Sequence, residues 1–169
     1  MIRYAGLDKN DILNGEGFCV SFWTQGCPHK CKGCHNPETW DFNGGLEIEY
    51  DNLIDTIIKS INANGITRNF SVLGGEPFCK ENLELVNRII KDVRKKYPKI
   101  KIYCWTGYTY EDLIKDNEAK QILNQIDVLI DGLFILEQRD ITLKLKGSLN
   151  QRVIDIKNTL LKRRIVLYE

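Results

Sequence analysis

Cys27, Cys31 and Cys34 stand in the run GCPHKCKGCHNPETW, a C-x3-C-x2-C spacing that packs three thiols into a short loop. Soft thiolates crowded in this way converge on one inorganic centre. The number three carries the chemistry. A cubane iron–sulfur cluster has four corners, and its electron-transfer form takes four cysteines. Three cysteines leave one iron open, and an open position is what catalysis needs. Gly26, Pro28 and Gly33 shape the loop, and Lys30 and Lys32 offset the charge of three thiolates. A second reading of the same residues is a structural zinc site with His29 or His35 as fourth ligand. Zinc sites usually pair two short knuckles across a longer interval, whereas Cys19, Cys79 and Cys104 stand singly. These three read as buried small hydrophobes.

The next marked run is Gly74-Gly75-Glu76-Pro77. Two glycines at a strand end let backbone approach a ligand closely, and Glu76 adds negative charge. An ordinary βα turn has the same composition, so both readings stand. Trp105 to Tyr108 (WTGY) and Asp131-Gly132 carry the same ambiguity between a pocket wall and plain core or turn.

The elements that must position these runs follow from periodicity. Phe18 to Gln25 reads as a strand ending at Gly26, with a cysteine-rich loop over about 26–45. Leu53, Ile54, Ile57, Ile58 and Ile61 recur at helical spacing, with Asn64-Gly65 as a helix stop. Residues 69–73 form a strand, and Leu83, Val86, Ile89, Ile90 and Val93 mark a helix that halts at Tyr97-Pro98. A strand over 100–105, a helix capped by Thr109 and running to about Leu123, and a strand over 126–130 complete the pattern. Beyond it the signal weakens to a basic stretch at 144–146 and an apolar run at 165–168. Strand then helix, three times over, predicts an α/β fold with a mostly parallel sheet in one domain spanning 1–169. The chain is too short for a full eight-fold barrel of ~250 residues, so an open partial barrel is expected. The cysteine loop, GGEP, WTGY and IDG would then share one rim at the strand ends.

Composition narrows the class. Hydrophobic residues at 43% and charged residues at 28% fit a soluble globular protein. Twenty-four basic against 23 acidic residues give a net charge of +1, which argues against bulk attraction to nucleic acid or membrane. No apolar run nears the ~20 residues of a membrane span. The first residues look like neither a signal peptide nor an import sequence, so a cytoplasmic, reducing location is expected, where clustered thiols mean metal or catalysis.

The cysteine loop followed by GGEP after the second strand resembles the radical S-adenosylmethionine superfamily. The continuation CHNPETW is similar to the activating enzymes of glycyl-radical enzymes. Within that group, Lys32-Gly33 before Cys34, CWTGY at 104–108, VLIDG at 128–132 and KGSLNQR at 146–152 look like the activators of anaerobic ribonucleoside-triphosphate reductase. The similarity covers roughly residues 11–155. It implies an open partial (βα) barrel of the radical SAM type. It implies a [4Fe–4S] cluster on Cys27, Cys31 and Cys34, with S-adenosyl-L-methionine on the fourth iron. Reductive cleavage of the sulfonium would yield a 5′-deoxyadenosyl radical that removes hydrogen from a glycine of the reductase, the electron coming from a flavodoxin- or ferredoxin-like donor. Gly33, Cys34, His35, Gly74, Gly75 and Glu76 become the cofactor-contacting candidates. Gly33 replaces the aromatic residue many superfamily members carry, which makes His35 the nearer adenine-stacking group, and Lys146 stands where the family more often has Arg. A sibling reading keeps the chemistry with another partner, such as pyruvate formate-lyase; a zinc-binding interaction module is the reading of a different class.

Overall fold

The computed structural model describes residues 1–169. Strand β1 (Ile2–Asp11) runs antiparallel to β2 (Cys19–Thr24), and the short β3 (Leu46–Ile48) pairs with the other edge of β1. Helix α1 (Tyr50–Ile61) follows, burying Leu53, Ile57 and Ile61. It ends a residue before a miniature hairpin, β4 (Asn62–Ala63) and β5 (Ile66–Thr67). The expected helix stop at Asn64-Gly65 is instead the hairpin's turn. Both residues take positive φ, 55° and 73°, which a two-residue hairpin loop of mirror-image type demands.

Strand β6 (Asn69–Gly74) leads to α2 (Lys80–Lys96), whose expected stripe of Leu83, Val86, Ile89, Ile90 and Val93 is wholly buried. After β7 (Ile102–Trp105) the single helix expected over 109–123 is two, α3 (Tyr110–Leu113) and α4 (Asn117–Leu123). Asp116 causes the break: its carboxylate accepts from the Glu118 and Ala119 amides at 2.7 and 3.1 Å and caps a fresh start. Strand β8 (Val128–Asp131), a long loop, β9 (Arg152–Asp155) and α5 (Ile156–Lys162) complete the chain.

The seven-stranded sheet has the order β3-β1-β2-β6-β7-β8-β9. Only the central four strands, β2, β6, β7 and β8, run parallel; β1, β3 and β9 join antiparallel. The sheet is therefore mixed, not mostly parallel. Residues 12–18 between β1 and β2 are too few for a crossover, so the chain folds straight back on itself.

Alternation along the strands divides the two faces. Val20, Phe22, Phe70, Val72, Ile102, Cys104 and Leu129 face the main core with residues of α1, α2, α4 and α5. Tyr103, Val128 and Ile130 form a small second cluster on the opposite face, with Trp105, Leu145 and Val153 beside it and no helix residue among them. The last apolar run packs here through Tyr168. One face of the sheet is thus closed by helices, and the other remains for a cavity.

Candidate metal centre

The ends of the parallel strands carry the marked runs to one place. A cavity of about 460 Å³ lies against the helix-free face and is lined by Cys27, Cys31 and Cys34 together with the GGEP turn, Trp105 to Gly107, and Gly132. Its floor is made by Trp23, Leu73 and Trp105, side chains that alternate away from the helical core. The four loops expected on a common rim do share it.

The cysteine loop is closed at its base by its own backbone. The Gly26 amide donates to the Thr39 carbonyl at 2.7 Å and the Cys27 amide to that of Trp40 at 3.2 Å. Gln25 Nε2 bridges the Glu38 and Asp41 carbonyls at 3.1 and 2.6 Å. A short 3-10 turn at Pro37–Thr39, fastened by Thr39 Oγ1 to the Asn36 carbonyl at 2.8 Å, carries the chain back. These bonds hold Cys27 buried and leave Cys31 and Cys34 partly exposed toward the cavity. Cys34 Sγ accepts from the Asn36 amide at 3.4 Å. Burial pushes the Cys27 and Cys31 thiols up, so at neutral pH they hold protons that any metal must displace.

No three His, Cys, Asp or Glu side chains close on one ion position. A tetrahedral zinc would hold its sulfurs roughly 3.8 Å apart, given Zn–S bonds of ~2.3 Å. A four-iron cube takes each thiol at a separate corner, so its sulfurs need not meet at one ion. Cys19, Cys79 and Cys104 are buried elsewhere and unpaired; burial drives the Cys79 thiol up to about 12.

The remaining candidates divide by location. Gly74, Gly75, Glu76 and His35 line the cavity. Gly75 sits so close beneath the cysteine loop that a Cβ would collide with the Gly26 carbonyl oxygen. His35 tilts against Phe134 with ring centroids 5.2 Å apart. Gly33 is outside the cavity lining; its Cα packs on Leu136, whose Cδ1 would lie 2.8 Å from an added Cβ. Gly33 therefore shapes the loop.

Glu76 is nearly fully buried, and its carboxylate is saturated. Oε1 accepts from Thr106 Oγ1 at 2.7 Å and the Phe78 amide at 2.9 Å; Oε2 accepts from the Gly107 amide and His29 Nε2, both at 2.7 Å. A carboxylate has about four lone-pair sites, so none is left for a ligand's ammonium. Residue types alone pointed to Glu76, but the filling of its acceptor sites is visible only in three dimensions. His29, weighed in the sequence only as a zinc ligand, proves to be a central contact.

The late KGSLNQR run fastens the far wall. Lys146 lines the cavity and its Nζ donates to the Gln151 carbonyl at 2.9 Å. Gln151 Oε1 accepts from the Gly147 and Ser148 amides at 2.8 and 3.2 Å, and its Nε2 donates to Gly132 O at 2.9 Å. Arg152 bonds buried Asp131 through Nε at 2.9 Å and Glu111 through both terminal nitrogens at 3.0 and 2.7 Å.

A mixed α/β domain presenting three convergent thiols at the strand ends is the architecture of an iron–sulfur protein, and the family model of a 4Fe-4S single cluster domain matches residues 13–154. Relatives sharpen this. The anaerobic ribonucleoside-triphosphate reductase-activating protein of Haemophilus influenzae is 37% identical over 151 residues, 89% of this chain and 96% of its own. That of Escherichia coli K12 is 35% identical, covering 85% and 92%, and that of Enterobacteria phage T4 is 33% identical, covering 90% and 93%. The chain belongs to the family of anaerobic ribonucleoside-triphosphate reductase-activating proteins.

Proposed function

We propose that this chain is a radical SAM activating enzyme that generates the glycyl radical of an anaerobic ribonucleoside-triphosphate reductase. The observation that carries the reading is the convergence of Cys27, Cys31 and Cys34 on a single cavity that they line together with Gly74, Gly75 and Glu76. Three soft donors suit a [4Fe–4S] cluster with one iron unclaimed by protein, and the cavity volume falls in the range of small-molecule sites. The match of residues 13–154 to a 4Fe-4S single cluster domain supports iron–sulfur over zinc.

When bound, the cluster supplies the electron that breaks the sulfonium–carbon bond of S-adenosyl-L-methionine. The protein's part is position, charge and exclusion of water. Cys27, Cys31 and Cys34 would hold the cluster. Gly74 and Gly75 bring backbone to the methionine end of the cosubstrate. His35, backed by Phe134, offers a flat surface to the adenine. Gly33 holds the loop's turn. We read the sheet, helical on one face and hollow on the other, as the open partial (βα) barrel of the radical SAM type. Its open side gives the partner's glycine loop access, and that loop completes the enclosure. The electron comes from a flavodoxin- or ferredoxin-like donor, and six free cysteines suit the reducing cytoplasm.

The test is anaerobic reconstitution with iron and sulfide, followed by reduction and mixing with S-adenosylmethionine and a candidate partner. A glycyl-radical EPR doublet on the reductase is expected. A doublet on pyruvate formate-lyase and none on the reductase would reassign the partner. Deoxyadenosine production that survives replacement of any of the three cysteines by alanine would end the reading altogether.

A further inference from the structure

We infer that His29 is a positioning residue: it clamps the cluster-binding loop to the ends of β6 and β7 through Glu76 and so holds the thiols of Cys27 and Cys31 ready for the cluster. The inference rests on the iron–sulfur reading of the loop and adds to it a residue outside the three ligands.

The loop between Cys27 and Cys31 has three side chains. Pro28 and Lys30 are exposed; His29 alone turns inward, its side chain 14% accessible. It enters a slot built to receive it. At the slot's end, Nε2 meets Glu76 Oε2 at 2.7 Å. A carboxylate can only accept, so Nε2 carries the hydrogen and donates. Beneath the ring lies Gly107, where an added Cβ would stand 2.5 Å from His29 Cδ2 and 2.7 Å from Nε2. At the ring's side lies Tyr108, edge-on, with centroids 4.6 Å apart. The slot explains two features of the sequence at once: glycine at 107, because any side chain would evict the imidazole, and glutamate at 76, because only an acceptor can gather four donors.

Glu76 is itself fastened by Thr106 and Gly107 from the turn that follows β7, and by Phe78 from its own turn. A bond from the loop to this carboxylate therefore refers the loop to the rigid sheet. Such a charge-assisted hydrogen bond in a buried setting is stronger than a neutral one. The backbone beside it needs that support, since Lys30 takes a left-handed φ of 48°, unfavourable for a residue with a side chain. The second half of the loop is held separately, by Gly33 on Leu136 and His35 on Phe134. His29 is the side-chain anchor of the first half, between two of the three thiols.

The experiment compares His29→Leu, which keeps bulk and loses the donor, with His29→Gln, which restores an N–H of similar reach. Two quantities are read: the rate at which reconstituted protein loses its cluster to an iron chelator under anaerobic conditions, and hydrogen–deuterium exchange of the amides of residues 27 and 29–32 in the cluster-free chain. In H29L both should rise at least tenfold, and in H29Q both should stay within about threefold of the parent. Parent-like rates in H29L overturn the inference, as does an H29Q variant as impaired as H29L, since the amide would then not replace the imidazole donor. Thr106→Val removes a different donor from Glu76 without touching the loop. It should speed cluster loss about threefold, and an unchanged rate overturns the inference even if H29L does not fold. Failure of the parent chain to take up iron and sulfide would refute the iron–sulfur reading instead, and the exchange measurement on the cluster-free chain would still decide the clamp.

Discussion

Replacing Gly75 by alanine tests whether the GGEP turn is shaped by contact with the cysteine loop. An alanine Cβ would overlap the Gly26 carbonyl oxygen and sit 2.9 Å from its carbon and 3.0 Å from the Thr24 oxygen. Every one of these is backbone, so no side chain can swing away. Relief requires the turn to part from the loop at two hydrogen bonds, Glu76 N to Gly26 O at 2.9 Å and Gly75 N to Thr24 O at 2.8 Å. Weakening the pair costs about 1–2 kcal/mol at roughly 1 kcal/mol per bond. Overpacking adds about 1–3 kcal/mol, and the stiffer unfolded chain returns about 0.5–1 kcal/mol. The net is a loss of about 3 kcal/mol. For a chain of this length, each kcal/mol shifts Tm by roughly 2–4 °C, so G75A should melt about 6–12 °C lower. The control is Gly6→Ala, where an added Cβ meets nothing within 4 Å and φ is not left-handed. It should melt within about 2 °C of the parent, in keeping with small surface effects. Calorimetry or circular dichroism on both variants decides. A G75A protein that melts with the G6A control would refute the close-approach argument.

Asp127 joins α2 to α5 and β7: its carboxylate meets Arg94 at 2.7 Å, Lys157 at 2.5 Å and the Ile102 amide at 2.8 Å. Burial works to raise its pKa, but the bonds from Lys157, Arg94 and Ile102 prevail and hold it below the ordinary aspartate range. A depressed native pKa contributes stability above the unfolded value, lost as pH falls through the native one. The acid arm of the stability curve, below about pH 4, should therefore flatten in Asp127→Asn, which should also lose about 2–4 kcal/mol at pH 7 in a denaturant titration. Arg152→Lys cannot span Asp131 and Glu111 together and should lose about 2 kcal/mol, with Arg152→Ala losing more in the same titration. Leu53→Ala opens a void under α1 at a fully buried position and should lose about 2–5 kcal/mol, while the exposed Leu161→Ala should change stability by less than ~0.5 kcal/mol.

What the sequence disclosed followed the strength of local signals. Helices α1 and α2 carry long apolar stripes, and the parallel strands are short β-branched runs ended by glycine, so both were legible. Strand β1 was not: shifts of register between Tyr4 and Gly6 and between Asp8 and Asp11 break its period of two, and its middle is only half-buried. Strand β9 buries little but Ile154, and α5 is only two turns long, too little for periodicity to show. Asn64-Gly65 was a hairpin signal hidden behind a helix-stop signal, and Asp116 a cap hidden inside a helical pattern. Of the site, the three thiols and the GGEP turn could be read from type and spacing. His29 could not, because what gives it a role is the arrival of Glu76 from 47 positions away, at the end of another strand.

The four filled acceptor sites of Glu76 also constrain how this chain can evolve. Glutamine at that position would set an amide group against donors that already bring their own hydrogens, and loss of one donor would strand part of a buried charge. Residues 29, 76 and 106, and the turn at 107, therefore form an epistatic set whose members change in concert or stay fixed. Lys32, exposed on the same loop, is free to drift alone.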